Sequence, residues 1–507
     1  MPRPLGLPPS AVDGLRSALR ACGYGYGAVA DLLGPTAHEA LSRNETVPGL
    51  RATTGGSALA TLVRLWLLQA SVSRQDADRA LPGLVEPLAA AGLLDVSGGE
   101  VRALVDVRPY ASSTGVGPGA DADWWVVSDL TPGLDGAPVA VATDHVLGIS
   151  PASTSLAQLT VREPCGSALD LGTGCGVQSL HLAGHADRVV ATDVNERALA
   201  MTRLNAALNE VVLDVRAGSL FEPVPDERFD LVVTNPPFVV SPADFRPGER
   251  LVYRDSGLPG DEVVRRVVGT APQHLNPGGW AQVLANWAHR RGEPWQERVS
   301  GWLTGTGCDG WVVQREVADP AAYVELWLKD AGVHGRPDYP RRYDAWLSWF
   351  EAQGIEAVGF GWLHLRRVDG ASREPVLALE EWPFEVEQPL APEVADRARR
   401  TDVLATTSDE DLLQRRLTAR VDVRQETHGE PGAGDPETIV LRQQRGMRRA
   451  RRADTVEAGL VGACDGDLTV GQILDALAAL LGEDAAGLRR DRLPAVRELV
   501  ADGFLQP

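Results

Sequence analysis

The sequence predicts an α/β protein. A seven-stranded, mainly parallel sheet with helices on both faces stands between an N-terminal helical, winged-helix-like module and a C-terminal α+β module. Three observations predict it. Short β-branched runs alternate with helical stretches from about 165 to 370. A glycine-rich turn leads from the first of those runs into a helix. The alternation is absent from both flanks. The chain has 507 residues, which at roughly 150 residues per domain means about three domains. The expected bounds are 1–115, 116–369 and 370–507.

The first module reads as mostly helical. Leu59, Leu62, Val63, Trp66 and Leu67 fall on one helical face. A shorter helix is expected over 84–91, ending at Gly92, although Pro87 sits inside it. Two strands, 93–96 and 101–107, follow across Gly98-Gly99 and suggest a wing. Arginines and acids balance over 1–120, which favours a packing, docking or dimerising module over nucleic-acid contact. Residues 111–120, ASSTGVGPGA, read as a linker.

The seven strands are expected at 167–171, 188–192, 213–217, 230–234, 281–285, 311–315 and 358–365. Past 370, a Pro- and Glu-rich stretch, a loop over 428–437, a helix over 469–481 and a short helix over 494–501 complete the chain. Ile473, Leu474, Leu477, Leu480 and Leu481 share a helical face and, with Leu493 and Val496, read as the core of a small cap.

The net charge is −20 and the pI about 4.9, which argues against a protein built to wrap duplex DNA. Lys329 is the only lysine, a composition bias before it is a functional signal. Cys22, Cys165, Cys175, Cys308 and Cys464 are scattered, with no C-x-x-C pair, and suit a reducing compartment. The N-terminus has no continuous apolar segment of signal-peptide type. The longest mainly apolar stretch, 59–70, contains Arg64 and is too short to cross a bilayer. A cytoplasmic protein with no membrane span is expected.

The first strand runs into Asp170-Leu171-Gly172-Thr173-Gly174-Cys175-Gly176. Such a turn lets a ligand approach the backbone, and the following helix offers free N–H groups. The spacing is G-x-G-x-G, with Val177 where a dinucleotide fingerprint needs glycine. That favours a nucleoside ligand without a pyrophosphate. Asp193 ends the second strand, where a carboxylate can accept two ribose hydroxyls or cap the next helix.

The fourth strand ends in Asn235-Pro236-Pro237-Phe238. Two prolines stiffen the loop and remove two donors, leaving carbonyl acceptors. Asn235 adds a side-chain oxygen, so two acceptors can hold the two hydrogens of an –NH2 group. Phe238 offers a flat face to a planar amide or base. Together they would turn a nitrogen lone pair toward an electrophilic methyl, by orientation and electrostatics rather than by a strong base.

D-L-G-T-G-C-G followed by a strand ending in T-D resembles the class I S-adenosylmethionine-dependent methyltransferases. The Asn-Pro-Pro-Phe segment resembles the (N/D/S)-P-P-(Y/F/W) motif of the amino-group enzymes among them. These include release-factor glutamine and ribosomal RNA guanine-N2 and adenine-N6 methyltransferases. The resemblance covers about 145–370 and implies a Rossmann-like core with S-adenosylmethionine as cofactor. It implies that Asp170, Gly172, Thr173 and Gly174 line the methionine side, Asp193 holds the ribose and Ser219 lies beside the adenine. Asn235, Pro236, Pro237 and Phe238 would be catalytic, with Asn235 also at the cofactor. The segment 147–155 resembles the stretch that closes over the cofactor in the glutamine and RNA enzymes. Of the Pro-Arg-Pro-x-Thr-Glu run usual in the glutamine enzymes, only Thr154 matches.

The expected reaction is methyl transfer to a planar –NH2 nitrogen, in a base of ribosomal RNA or tRNA. The alternatives are a protein glutamine and a nucleic-acid-binding protein with an inactive core. Arg442, Arg445, Arg448, Arg449, Arg451 and Arg452 form a cluster without acids. It could contact phosphates or be a solvated face. The −20 charge would repel a polyanion and favours protein. Residues 253–261 read as a flap carrying Arg254 to the substrate, or as an ordinary connection. His181 and His185 have the i, i+4 spacing of zinc ligands without a third, so no metal is expected. Trp311, Trp327, Trp346 and Trp349 read as packing around the later strands.

Overall fold

The central sheet has eight strands, one more than the alternation predicts. They are β1 (Cys165–Leu171), β2 (Ala186–Asp193), β3 (Asp214–Ala217), β4 (Phe229–Thr234), β5 (Leu275–Arg290), β6 (Cys308–Ala318), β7 (Ile355–Arg367) and β8 (Leu377–Glu381). The order is β8-β6-β7-β5-β4-β1-β2-β3. β1 to β5 pair in parallel, β7 runs antiparallel to β5 and β6, and β8 is parallel to β6. The seven expected strands are all present. The eighth, LALEE, lies in the stretch read as the opening of the C-terminal module. What holds it is tertiary: Trp311 Nε1 donates to Glu380 at 2.6 Å and Trp295 Nε1 to Glu381 at 2.8 Å.

The computed structural model describes residues 5–113, 121–137, 141–243, 250–369, 373–430 and 436–507. Most of the expected linker over 111–120 and half of the loop over 428–437 lie outside them. Among the described residues no helix is long and apolar enough to cross a membrane. Two compact units are present. One is Met1–Ala157, Arg162–Arg367 and Leu377–Trp382; the other is Gln158–Val161, Val368–Val376 and Pro383–Pro507.

In the first unit, the β-branched runs form strands because both faces of the sheet are covered. Leu169, Val190, Phe229 and Val232 pack with Val263, Val264, Val267 and Val268 of helix Glu262–Thr270. The N-terminal residues fold into helices followed by a small sheet of Val72–Ser73, Leu94–Ser97 and Glu100–Ala103. Gly98 and Gly99 take positive φ of 61° and 82° in its hairpin turn. The expected strand 101–107 is two strands. The chain breaks at Leu104, and Asp106–Ser113 pairs instead with Asp121–Ser128. The helix expected over 59–67 starts as Ala58–Leu62 and continues as a π turn, Val63–Leu67. Leu15, Leu19 and Trp66 share one core with Val177, Leu180, Met201 and Leu204, which belong to the helices after β1 and β2.

The second unit joins helices to a three-stranded antiparallel sheet of Val423–His428, Thr438–Gln443 and Ala450–Ala453. Leu441, Leu460, Ile473, Leu474, Val496 and Leu499 form its core. Leu480 and Leu481 are not part of it, being 82% and 48% exposed. They occupy the last turn before Gly482, beyond the buried face. The final helix begins at Ala485, capped by Asp484, and carries Pro494 inside it.

The arginine cluster is largely paired. Arg442 meets Glu426 at 2.7 Å, Arg445 meets Glu387 at 3.1 Å and Arg448 meets Glu385 at 3.4 Å. Arg451 meets Glu457 at 3.0 Å and Glu498 at 2.9 Å, and Arg449 is buried.

Gly361 in β7 makes room for Trp287 of β5. A Cβ there would stand 2.5 Å from Trp287 Cη2 and would overlap the Val313 carbonyl oxygen. Both strands are central, so neither neighbour can withdraw. Gly361→Ala is expected to destabilise the protein by about 2 kcal/mol, read as a lower denaturation midpoint at unchanged m-value.

Candidate active site

Four strand ends and their loops build the site. β1 ends at Leu171, and the Gly172–Gly176 turn leads to helix α1 (Val177–Leu182). Gly172 and Gly174 have φ of 76° and 56°, and a Cβ on either would meet nothing within 4 Å. The left-handed backbone, not crowding, therefore calls for glycine there. Gly172 N and Thr173 N both donate to the Thr192 carbonyl at 2.9 Å, which folds the turn onto the end of β2. Gly174 N donates to Asp193 Oδ2 at 2.9 Å, and Asn195 N to its Oδ1 at 2.8 Å. Asn195 also caps helix α2 (Glu196–Leu208). Asp193 therefore organises the start of the helix through the Asn195 amide, and it lines the cleft.

Asp170 is 1% exposed. Its carboxylate accepts from Thr173 Oγ1 and Ser179 Oγ, each at 2.6 Å. Burial outweighs those bonds and pushes its pKa up to about 6. Burial raises Asp193 as well.

At the end of β4, Thr234 Oγ1 donates to the Leu171 carbonyl at 2.7 Å and locks the two strand ends together. Asn235 follows. Its Oδ1 is buried and finds no hydrogen-bond partner among the described residues. A buried acceptor without a donor is costly unless something else fills that role. The loop beyond is fixed from behind: the buried Tyr323 hydroxyl accepts from Val240 N at 2.9 Å and Asn286 Nδ2 at 3.0 Å.

A cleft of about 220 Å³ brings together Asp170, Gly172, Thr173, Gly174, Asp193, Ser219, Asn235, Pro236 and Pro237. Two expected residues are not in its lining. Phe238 bridges to Asp255 and sets its ring edge-on to Trp327, with centroids 6.3 Å apart. Thr154 is engaged by the Tyr110 hydroxyl. Arg254 does not serve as a flap contact. It is 6% exposed, lies 3.2 Å from Asp255 and is bonded to the Trp327 carbonyl. Its neighbours Tyr253, Ser256 and Leu258 line the cleft instead.

The sequence reading passed over His145, Gln178 and Asn195, which also line the cleft. Gln178 Nε2 donates to the Ser153 carbonyl at 2.6 Å and ties the upstream segment to α1. A polar residue in the first turn of a fully buried helix was its signal. The His145 ring lies 6.0 Å from that of Tyr253, and burial lowers its pKa. Local sequence gave no sign of it. His181 is a packing histidine: its Nε2 lies 3.1 Å from the Tyr110 hydroxyl, and burial pushes its pKa down to about 3. Among the described residues no three His, Cys, Asp or Glu are grouped to hold a metal.

Residues 148–294, which include all four strand ends, match the family described as the methyltransferase small domain. This segment is a methyltransferase small domain, with the class I S-adenosylmethionine-dependent fold. Residues 21–104 and 396–507, outside the methyltransferase domain, match two families described as domains of unknown function. The release factor glutamine methyltransferase of Geobacter sulfurreducens is 35% identical over 158 residues, covering 29% of this chain and 53% of the relative. The ribosomal protein uL3 glutamine methyltransferase of Bradyrhizobium diazoefficiens is 38% identical over 123 residues, 22% of this chain and 38% of the relative. The ribosomal RNA small subunit methyltransferase C of Alcanivorax borkumensis is 33% identical over 121 residues, 24% of this chain and 32% of the relative. The chain thus spans about half, or less, of the length of these relatives.

The raised pKa of Asp170 makes a stability prediction for the methyltransferase domain. The unfolded carboxyl ionises near 3.8 and the folded one near 6. Its contribution is therefore fully present below the unfolded value and is lost as pH rises through the folded one. The unfolding free energy of the wild type relative to Asp170→Asn should fall by about 2 kcal/mol between pH 4 and pH 7. Chemical denaturation across that range checks it, and a flat difference would contradict a desolvated carboxylate.

Proposed function

We propose that the chain is an N-methyltransferase that moves a methyl group from S-adenosylmethionine to a planar –NH2 nitrogen. The observation that carries this reading is the buried, unpartnered Asn235 Oδ1 at the end of β4. It lines the same cleft as the glycine turn and Asp193. S-adenosylmethionine, when bound, supplies a methyl group on a positively charged sulfur. Gly172, Thr173 and Gly174 would present backbone to it, Asp193 would accept from its ribose hydroxyls, and Ser219 would lie beside the base. Asp170, held by Thr173 and Ser179, would supply negative charge on the methionine side. Asn235 Oδ1 and the Pro236 carbonyl would each accept one N–H of the substrate and hold its nitrogen against the cleft. Phe238 is the aromatic face proposed to stack on the amide or base plane, and Thr154 belongs to the segment proposed to close over the cofactor. The proton leaves the nitrogen after the N–C bond forms, so no strong base is needed.

The acceptor we favour is a side-chain amide of a protein. The pairing of Arg442, Arg445, Arg448 and Arg451 with carboxylates supports it, because paired guanidiniums have less to offer phosphates. The net charge of −20 supports it too, as do relatives named as glutamine methyltransferases. A base in ribosomal RNA is the second reading, favoured by the relative named as a ribosomal RNA methyltransferase. Within this proposal, 116–369 together with the strand Leu377–Glu381 is catalytic, and 1–115, with its winged-helix-like order of helices and strands, and the rest of 370–507 are accessory. Five free cysteines fit a cytoplasmic setting.

Asn235→Ala is expected to lower turnover by about 100- to 1000-fold while S-adenosylmethionine affinity stays within about twofold. Turnover assays and calorimetry read the two effects, and unchanged turnover would remove Asn235 from the reaction. Label from tritiated cofactor in lysate of a strain lacking the gene separates the acceptors. Loss to protease alone supports the amide, and loss to RNase supports the base.

A further inference from the structure

The hairpin strand Asp121–Ser128 has one edge paired with Asp106–Ser113. Its other edge is met by two carboxamides, Asn205 of α2 and Asn209 at the C-cap of that helix. Asn209 accepts from Trp125 N at 2.9 Å and donates to Trp125 O at 2.8 Å. Asn205 accepts from Val127 N at 2.7 Å and donates to Val127 O at 2.9 Å. The match is geometric: four residues of helix rise about 6 Å, and two residues of strand about 6.6 Å. Each carboxamide therefore stands in for a neighbouring strand and satisfies backbone that would otherwise be buried unpaired.

Asn205 does one thing that Asn209 does not. Its second N–H donates to the Cys175 carbonyl at 2.7 Å, inside the Gly172–Gly176 turn. Asn205 is fully buried, so no water can replace that bond. One turn earlier on the same helix, Thr202 Oγ1 donates to the Gly174 carbonyl at 2.9 Å. The two peptide units that follow Gly174 N, the donor to Asp193, are thus both held from α2. Of the two groups that hold them, only Asn205 also grips the hairpin edge.

We propose that Asn205 is a positioning residue: it couples the edge of the N-terminal hairpin to the glycine turn and so holds that turn in its cofactor-binding shape. This rests on the reading of the turn as the S-adenosylmethionine site. The residue touches no substrate and acts through the Cys175 peptide unit. The N-terminal residues thereby gain a part in cofactor binding without contacting the cofactor.

The test compares Asn205→Asp with Asn209→Asp in the full chain. Each loses its donors to the hairpin, but only the first loses a donor to the turn. Calorimetry with S-adenosylmethionine should give a Kd raised about tenfold for Asn205→Asp, the loss of one buried bond, and within about twofold of wild type for Asn209→Asp. Thermal midpoints should drop for both. In the labelled-methyl assay the cofactor KM should rise for Asn205→Asp at little changed kcat. An unchanged Kd for Asn205→Asp, or an equal rise for both variants, overturns the proposal, since a purely structural role would not separate them. If Asn205→Asp fails to fold, the uncharged Asn205→Ser, whose shorter side chain cannot span the hairpin edge and the Cys175 carbonyl, takes its place. A several-fold weaker Kd would support the coupling and an unchanged one would overturn it. Wild-type protein that binds no S-adenosylmethionine overturns the cofactor reading itself, and this inference with it.

Discussion

The site depends on how the glycine turn is held to the end of β2. Thr192 offers one carbonyl to two successive amides of the turn, and Asp193 takes a third amide through its carboxylate. Those bonds fix the gap between β1 and β2 and aim α1. The other contacts build outward from there. Thr234 ties β4 to β1, Gln178 ties the upstream segment to α1, and Asn195 starts α2. Left-handed backbone at Gly172 and Gly174 is what allows one turn to do this while still presenting bare main chain to the cleft.

Charge in this protein is mostly spent internally. With a single lysine, the cations are guanidiniums, which can hold carboxylates through more than one N–H. Arg197 binds Asp129 on the first unit, and Arg400 and Arg420 share the buried Glu393 on the second. The cluster over 442–452 follows the same habit. A run of like charges in sequence therefore says little about a charged surface until the partners are known, and here those partners come from segments up to 63 residues away. The carboxylates at the cleft behave differently. Asp170 and Asp193 are held by hydroxyls and backbone amides rather than by cations, so burial dominates and their pKa values rise.

Much of the site was legible because its chemistry is local. A strand, a glycine turn and a carboxylate at the next strand's tip are short-range patterns, and Asn235-Pro236-Pro237 is contiguous. Nine of the residues expected at the site line one cleft for that reason. The misses share the opposite cause. β8 exists because two tryptophans reach its glutamates. Arg254 turns to Trp327, a partner brought close by the packing of a later helix. Leu480 and Leu481 keep helical spacing past the point where anything covers them.

The sequence by itself determined the order of strands and helices, the left-handed glycine turn and the placing of two acceptors at the end of β4. Each follows from dihedral preference, periodicity or a stiff dipeptide, which act within a few residues. Only the tertiary structure decided that the N-terminal helices share a core with the helices after β1 and β2. It alone decided that Asn205 joins a hairpin edge to the glycine turn and that most of the arginine cluster is paired with carboxylates. Those outcomes depend on which surfaces meet and which buried polar groups must be satisfied there, and residues 30 to 78 positions apart in the chain carry no local mark of it.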